Sequence, residues 1–255
     1  MREYIAMIVP IRGLIISRGA MPIAPLPMLS LTGEVTQSDE MAKYIKELEG
    51  NTRVKAIIFE VDSPGGTPYA SKEIADAIKK SKKPTVAHIR EHGTSGAYWI
   101  ASACSRIVAD PLSSLGGIGT RAERIDLTEL AKKIGIKFDT FIKGEYKGMG
   151  SPYSKLSEKE KKFIEDHVEA FNNYFIDEVK QNRNIRDDRV LENIKSGKSY
   201  LGKEALELGL VDYLGDSDKA IQIARELAGM KLKAIYRKGR REKQGLMLRL
   251  LKRLF

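Results

Sequence analysis

The stretch VKAIIFEVDSPGG, residues 54–66, constrains this chain more than any other. Six of its first eight residues are apolar, with only Lys55 and Glu60 polar. A strand with one wet face alternates apolar and polar side chains. A run that is apolar in both phases belongs to a strand covered on both faces, the habit of parallel sheets. DSPGG then predicts a sharp turn, and the spacing beyond it predicts a helix from about Tyr69 to Lys80. The pattern repeats at short intervals. TVAHI (85–89) predicts a strand, HGTSG (92–96) a turn, AYWIASAC (97–104) an apolar helix and RIVAD (106–110) a further buried strand. Strands alternating with helices over such short spacings predict parallel βαβ units, and therefore an α/β fold with a mainly parallel sheet.

The flanking segments extend this reading. Ile5, Met7, Val9 and Ile11 alternate within a strand over the first 17 residues, and Pro22, Pro25 and Pro27 mark irregular chain at 18–33. Thr36 or Ser38 is placed to cap a helix that runs to about Glu49. Downstream, a helix at 127–134 precedes a predicted strand, KFDTFI (137–142), and a loop, KGEYKGMGSPYSK (143–155). Ser157 and Glu160 form a capping-box pattern that opens a long helix over 157–182. LGKEALELGLVD and the helix SDKAIQIARELAG close a single domain over 1–238. Residues 239–255 form a separate basic tail.

At 255 residues the chain is long enough for one large α/β core. A net charge of +10 invites a nucleic-acid reading, but its distribution argues against one. Residues 231–255 carry ten Lys or Arg against a single acid, Glu242, so nine of the ten net charges stand there and the body is close to neutral. The tail lacks the interleaved aromatic residues and motifs of nucleic-acid binders. The N-terminus reads as neither a cleavable signal peptide nor a membrane span, since no window of 18 apolar residues occurs. The expected location is therefore cytoplasmic or peripheral at a membrane. Cys104, the only cysteine, excludes an internal disulfide and reads as a small core residue.

Two glycine-rich turns carry the candidate chemistry. Glycines after a buried strand expose backbone N–H groups with no side chain in the way, which suits an oxyanion hole as well as a plain turn. Ser95 lies in HGTSG, at the start of the apolar helix. It can be an ordinary N-cap or a nucleophile held at a strand-to-helix turn, and Gly93 and Gly96 favour the second by permitting close approach of a substrate. A nucleophilic serine needs a base. His88 lies in a strand, His92 three residues before Ser95 and His167 in a charged helix, none where a Ser-His-Asp arrangement would put its histidine. A lysine is the remaining option, provided burial lowers its pKa from near 10.4 to about 7–8, at a cost on the order of 4 kcal/mol. Lys147, in a glycine-rich loop beside Tyr146 and Met149, suits that role best, with Lys143 and Lys155 as competitors.

Four segments in this order, VDSPGG, GTSGAYWIASA, DPLSSLGGIGT and KGEYKGMGSPYSKLSEKEK, resemble the signal peptide peptidase A family in its short single-domain form. The resemblance covers roughly residues 4–225. It implies a Clp-protease/crotonase-like fold of stacked ββα units and a Ser/Lys-dyad serine endopeptidase that cleaves apolar peptides such as signal-peptide remnants. Carried over by motif, Ser95 is the nucleophile, Lys147 the general base, and Gly66 and Gly96 the oxyanion-hole donors. The resemblance also implies a homo-oligomeric ring whose active sites are shared between protomers, and no metal or other cofactor. One position departs from the family. Its third motif usually reads Gly-Ser-Ile-Gly, with the serine helping to hold the lysine, whereas this chain has Gly116-Gly117-Ile118-Gly119. Ser113, Ser114 and Thr94 are the nearby hydroxyls that could substitute.

In the tail, GLMLRLLKRLF places Arg249, Lys252 and Arg253 on one face of a helix, with Leu246, Met247, Leu250, Leu251, Leu254 and Phe255 around the rest. That pattern predicts a basic amphipathic helix in contact with an anionic membrane surface, or else packing on a neighbouring subunit. Two further readings of the whole chain stand beside the peptidase. One is a crotonase-like acyl-CoA enzyme, which would hold an enolate oxygen on the same glycine N–H groups and use carboxylates as acid and base. The nearest acid to Ser95 is Glu91. The other is a catalytically decayed, membrane-associated scaffold.

Overall fold

The computed structural model describes residues 3–19 and 34–237. Strand β1 (Ile5–Ile16) pairs in parallel with β3 (Val54–Gly66) from Ile5↔Val54 to Ile15↔Gly66. Beyond β3 lie β4 (Thr85–Thr94), β5 (Arg106–Ala109) and β8 (Tyr213–Leu214). Two short strands share the outer edge of β1: β2 (Val35–Gln37) on its last residues and β9 (Lys233–Tyr236) on its first. All of these neighbours are parallel.

Burial on both sides of the sheet explains the unbroken apolar run in β3. Ile57, Phe59 and Val61 face helices α1 (Ser38–Gly50), α2 (Pro68–Lys79) and α3 (Gly96–Ser102), together with Phe175 and Val179 of α5 (Glu158–Asn182). Ala56 and Ile58 point the other way, onto Ala220, Ile223 and Ala224 of α8 (Ser217–Ala228). Each fully buried large aliphatic or aromatic side chain contributes about 1.5–3 kcal/mol. The burial of Glu60 within the run is offset by partners: Arg12 donates to it at 2.6 Å and the Tyr236 hydroxyl at 3.1 Å. Among the described residues no helix is long and apolar enough to cross a membrane.

Both glycine-rich turns differ from the sequence reading. DSPGG is extended and belongs to β3, because Gly65 and Gly66 continue the ladder opposite Leu14 and Ile15. The His92–Thr94 stretch is likewise the end of β4, where it pairs with β6 (Ser114–Gly116). β6 in turn carries the antiparallel β7 (Ser199–Leu201). The elements turn instead at single residues, Thr67 before α2 and Ser95 before α3. The cap expected from Thr36 or Ser38 is also absent. Gln37 holds the N-cap position, and the Thr36 hydroxyl is engaged with the backbone N–H and carbonyl of Arg12.

Between β6 and α5 the chain makes a long excursion carrying only α4 (Thr128–Lys133). The expected strand at 137–142 does not form. A strand needs an edge to pair with, and none lies alongside; Phe141 is 95% exposed, and Ile134, Ile142 and Tyr146 also face outward. The excursion is braced internally by a Phe138–Tyr153 stack with centroids 3.8 Å apart and by Arg124, which donates to the carbonyls of Ser151 and Ser154. Helix α5 begins as expected, with the reciprocal Ser157–Glu160 capping box. Helices α6 (Asp188–Lys195) and α7 (Gly202–Glu207) flank β7 and complete the domain body.

Candidate active site

Ser95 stands between the end of β4 and the start of α3 with φ 54° and ψ −128°. Only one other described non-glycine residue, Asn184, has a positive φ. Such a backbone costs on the order of 1–3 kcal/mol and persists only where its surroundings enforce it. Here two bonds enforce it. Ser95 N–H donates to Gly116 O on β6 at 2.8 Å, and Trp99 N–H donates to Ser95 O at 3.1 Å. The Ser95 side chain makes no capping bond, so the residue is not there to satisfy the helix end. The arrangement is that of a strand-to-helix elbow presenting a hydroxyl.

Two glycines let β3 lie against this elbow. At Gly65, with φ +106°, a β-carbon would stand 2.8 Å from Gly96 N and 2.9 Å from Ser95 Cβ. A β-carbon on Gly96 would stand 2.1 Å from Ser71 Oγ on α2 and 3.2 Å from Gly66 N. No larger residue fits at either place without movement. Gly96 is the first residue of α3, so its N–H has no partner within the helix. The structure thus brings together Ser95, Gly66 and Gly96, three of the residues singled out in the sequence. Gly65 and Ser71 were not singled out; its place as the first glycine of the DSPGG pair was the available signal for the former, and nothing local marked Ser71.

A cavity of 340 Å³ opens over the elbow at the carboxyl ends of β1, β3 and β4, where α/β sheets commonly bind ligands. Its walls include Leu14, Pro64, Trp99 and Phe175, with Thr120 and Arg121 at one side. Trp99 stacks on Phe175 with centroids 4.7 Å apart, which fixes the apolar wall. Among the described residues no carboxylate lines the cavity.

Among the described residues no histidine or lysine lines the cavity beside Ser95. His88 is buried in β4, and that burial lowers its pKa; His92 Nδ1 lies 3.9 Å from the Asp62 carboxylate; His167 Nδ1 lies 2.9 Å from Phe163 O on the surface of α5. None lines the cavity. Lys147 is exposed on the excursion, its N–H bonded to Gly144 O at 3.1 Å and its side chain without a hydrogen bond or ion pair among the described residues. Of the rival lysines, Lys155 pairs with Glu129 at 3.3 Å. Cys104 is a core residue whose thiol burial pushes up to about 12, so it is no nucleophile at neutral pH.

The hydroxyls considered in place of the missing serine at 117 are mostly committed. Ser113 is buried and donates to Arg90 O, with Ile89 O also within 3.2 Å, and Thr94 donates to Pro64 O at 3.2 Å. Ser114 stands at the far end of β6, opposite Leu201. Arg249, Lys252 and Arg253 lie outside the described residues.

Comparison with known proteins gives a consistent picture. The profile of peptidase family S49 matches residues 77–231. A putative protease of Methanocaldococcus jannaschii is 31% identical over 220 residues, covering 84% of this chain and 70% of that protein. A putative signal peptide peptidase of Enterococcus faecium is 33% identical over 180 residues, and the chain spans 52% of its length. The chloroplastic serine protease SPPA of Arabidopsis thaliana is 30% identical over 207 residues, and the chain spans 30% of it. Among solved structures, a membrane-bound stomatin-specific protease in complex with a substrate peptide superposes with a TM-score of 0.58 at 19% identity, covering 96% of this chain and 97% of that one. At that identity the likeness bears on the fold, which is the Clp-protease/crotonase-like arrangement.

Proposed function

Because the chain belongs to peptidase family S49 and is a serine peptidase, we propose that Ser95 is its nucleophile and Lys147 its general base. The observation that carries the assignment is the enforced positive-φ backbone of Ser95, which has no capping duty and opens onto a cavity with one apolar wall. The Ser95 hydroxyl attacks the scissile carbonyl while the Lys147 amine takes its proton. The Gly66 and Gly96 N–H groups receive the resulting oxyanion, a contribution of about 2.7–4 kcal/mol per donor in such sites. Collapse of the intermediate breaks the C–N bond, the ammonium returns its proton to the leaving amine, and water then releases the acyl group from Ser95 by the same steps. The absence of a lining carboxylate among the described residues disfavours the acyl-CoA reading.

The substrates are apolar peptides such as signal-peptide remnants, in keeping with the cavity wall of Leu14, Trp99 and Phe175 and with the peptidase named in Enterococcus faecium. The active form is a homo-oligomeric ring in which the excursion of one protomer delivers Lys147 to Ser95 of the next. The exposed, unpaired Lys147 and the outward-facing Phe141 support this arrangement, and contact with the neighbour supplies the desolvation a lysine base needs. The basic tail with Arg249, Lys252 and Arg253 holds the ring to an anionic membrane surface.

Hydrolysis of a fluorogenic apolar peptide by wild type, Ser95→Ala and Lys147→Ala tests the dyad. Each variant alone is inert, and mixing the two restores part of the activity through mixed rings. Wild-type rates in either single variant sink the dyad, and no recovery on mixing sinks the shared site. Removal of residues 239–255 abolishes co-sedimentation with anionic liposomes; unchanged sedimentation removes the membrane role.

A further inference from the structure

Beside Gly117, which follows β6 and does not itself line the cavity, is a point where a β-carbon would stand. The point lies 3.4 Å from Ser95 N, 3.5 Å from Thr94 Cβ and 3.2 Å from Ser199 Oγ. Gly117 puts no side chain there, and an amine arriving there is within hydrogen-bonding range of the Ser199 hydroxyl.

We propose that Ser199 is a positioning residue for the lysine base, its hydroxyl accepting a hydrogen bond from the amine and aiming it at Ser95. The inference rests on the Ser/Lys reading above. Three observations support it. Ser199 Oγ is the atom nearest that point, and it has no hydrogen bond among the described residues. The hydroxyls of Ser71, Thr94 and Ser113 are already donated to the carbonyls of Thr67, Pro64 and Arg90. Finally, one peptide unit ties Ser199 to the nucleophile: Gly116 O accepts from Ser95 N–H at 2.8 Å, and the adjoining Gly117 N–H donates to Lys198 O at 2.8 Å. Ser199 is also directly opposite Gly116 in the β6–β7 ladder. The backbone that carries its hydroxyl is therefore held relative to Ser95 by two backbone bonds rather than by a free loop.

The test uses the full chain and an isosteric pair, Ser199→Thr and Ser199→Val, with Ser95→Ala and Lys147→Ala as controls. Threonine keeps the hydroxyl; valine keeps the shape and loses it, and both suit a strand. The readouts are kcat/KM for the fluorogenic peptide as a function of pH, and the melting temperature. The threonine variant is expected to match wild type. The valine variant is expected to lose about tenfold in kcat with KM unchanged, a fraction of the roughly 10²–10⁴ that a positioned base supplies. Its acidic limb moves to lower pH, because an acceptor that favours the protonated amine has gone. Equal rates for the two variants overturn the proposal. A slower valine variant with an unmoved limb marks a structural role and overturns it as well. If Ser95→Ala and Lys147→Ala are inert while Ser199→Val equals wild type, only this inference fails. Full activity in Ser95→Ala removes the dyad and this inference with it.

Discussion

Replacing Gly96 with alanine tests how tightly the site is assembled. The new β-carbon would lie 2.1 Å from Ser71 Oγ, 3.0 Å from Ser71 Cβ and 3.2 Å from Gly66 N. Overpacking of this kind costs about 1–3 kcal/mol. The residue is helical, so the alanine recovers up to about 1 kcal/mol of backbone entropy. The net expectation is a loss of about 1–2 kcal/mol, read as a fall of roughly 2–8 °C in melting temperature for a chain of this size. Ser71→Ala by itself removes a hydroxyl that only back-bonds to Thr67 O at 3.0 Å within its own helix, and is expected to cost less than about 1 kcal/mol. With Oγ gone, the nearest remaining atom is Ser71 Cβ, and the double variant is expected to be more stable than the sum of the singles by about 1 kcal/mol. Urea unfolding of the four proteins measures the coupling. The same crowding displaces Gly66 N–H, so Gly96→Ala is expected to lose about 10²–10³ in kcat, partly recovered in the double variant. Strict additivity of the two substitutions would refute the claim that Ser71 and Gly96 define the closest approach of α2 to the elbow.

Three further expectations follow from other parts of the molecule. Burial alone would raise the pKa of Glu49, but the Ser81 hydroxyl and the N–H groups of Lys82 and Lys83 hold it below the usual carboxylate value. A carboxylate depressed in the folded state contributes stability above its unfolded pKa and loses it as pH falls through the folded one, so the stability gap between wild type and Glu49→Gln should close on acidification below about pH 4.5; a gap independent of pH refutes it. Cys104 is buried with its thiol raised to about 12, so thiol reagents should label it only after denaturation, and rapid labelling of native protein would contradict its placement. Phe141→Asp should leave the fold intact and shift sedimentation velocity toward the monomer if the excursion is the contact between protomers; an unaltered oligomer excludes that role.

The sheet was legible because it rests on local patterns. The doubly apolar phase of residues 54–61 marked a strand covered on both faces, and α8 and the α1–α3 layer cover it. Ser157 and Glu160 announced α5 for the same reason, since a capping box is a contact between near neighbours. The misreadings occurred where a distant partner decides the outcome. DSPGG looked like a turn, yet Leu14 and Ile15 of β1 hold its glycines in the ladder. KFDTFI had the composition of a strand but no edge to join. Thr36 was a plausible cap until Arg12 claimed its hydroxyl. In the candidate site, Ser95, Gly66 and Gly96 stood out as glycine-flanked or glycine residues after strands. Ser71 and Ser199 did not, because what distinguishes each is an approach from another element that no local pattern encodes.

The bond from Ser95 N–H to Gly116 O also has a consequence for the order in which the protein is made. The proposed nucleophile and base both emerge from the ribosome well before β7, yet β6 is held in place through Gly117 N–H and Lys198 O and through its pairing with β7. A nascent chain that has exposed Ser95 and Lys147 but not residues 198–201 lacks the clamp that bends Ser95 out of line. The hydroxyl is then an ordinary serine in an unfinished strand end. The elbow is thus clamped by a part of the body synthesised after both proposed catalytic residues, so on this reading the growing chain is unarmed while those residues are already exposed and the segments around them are still unfolded.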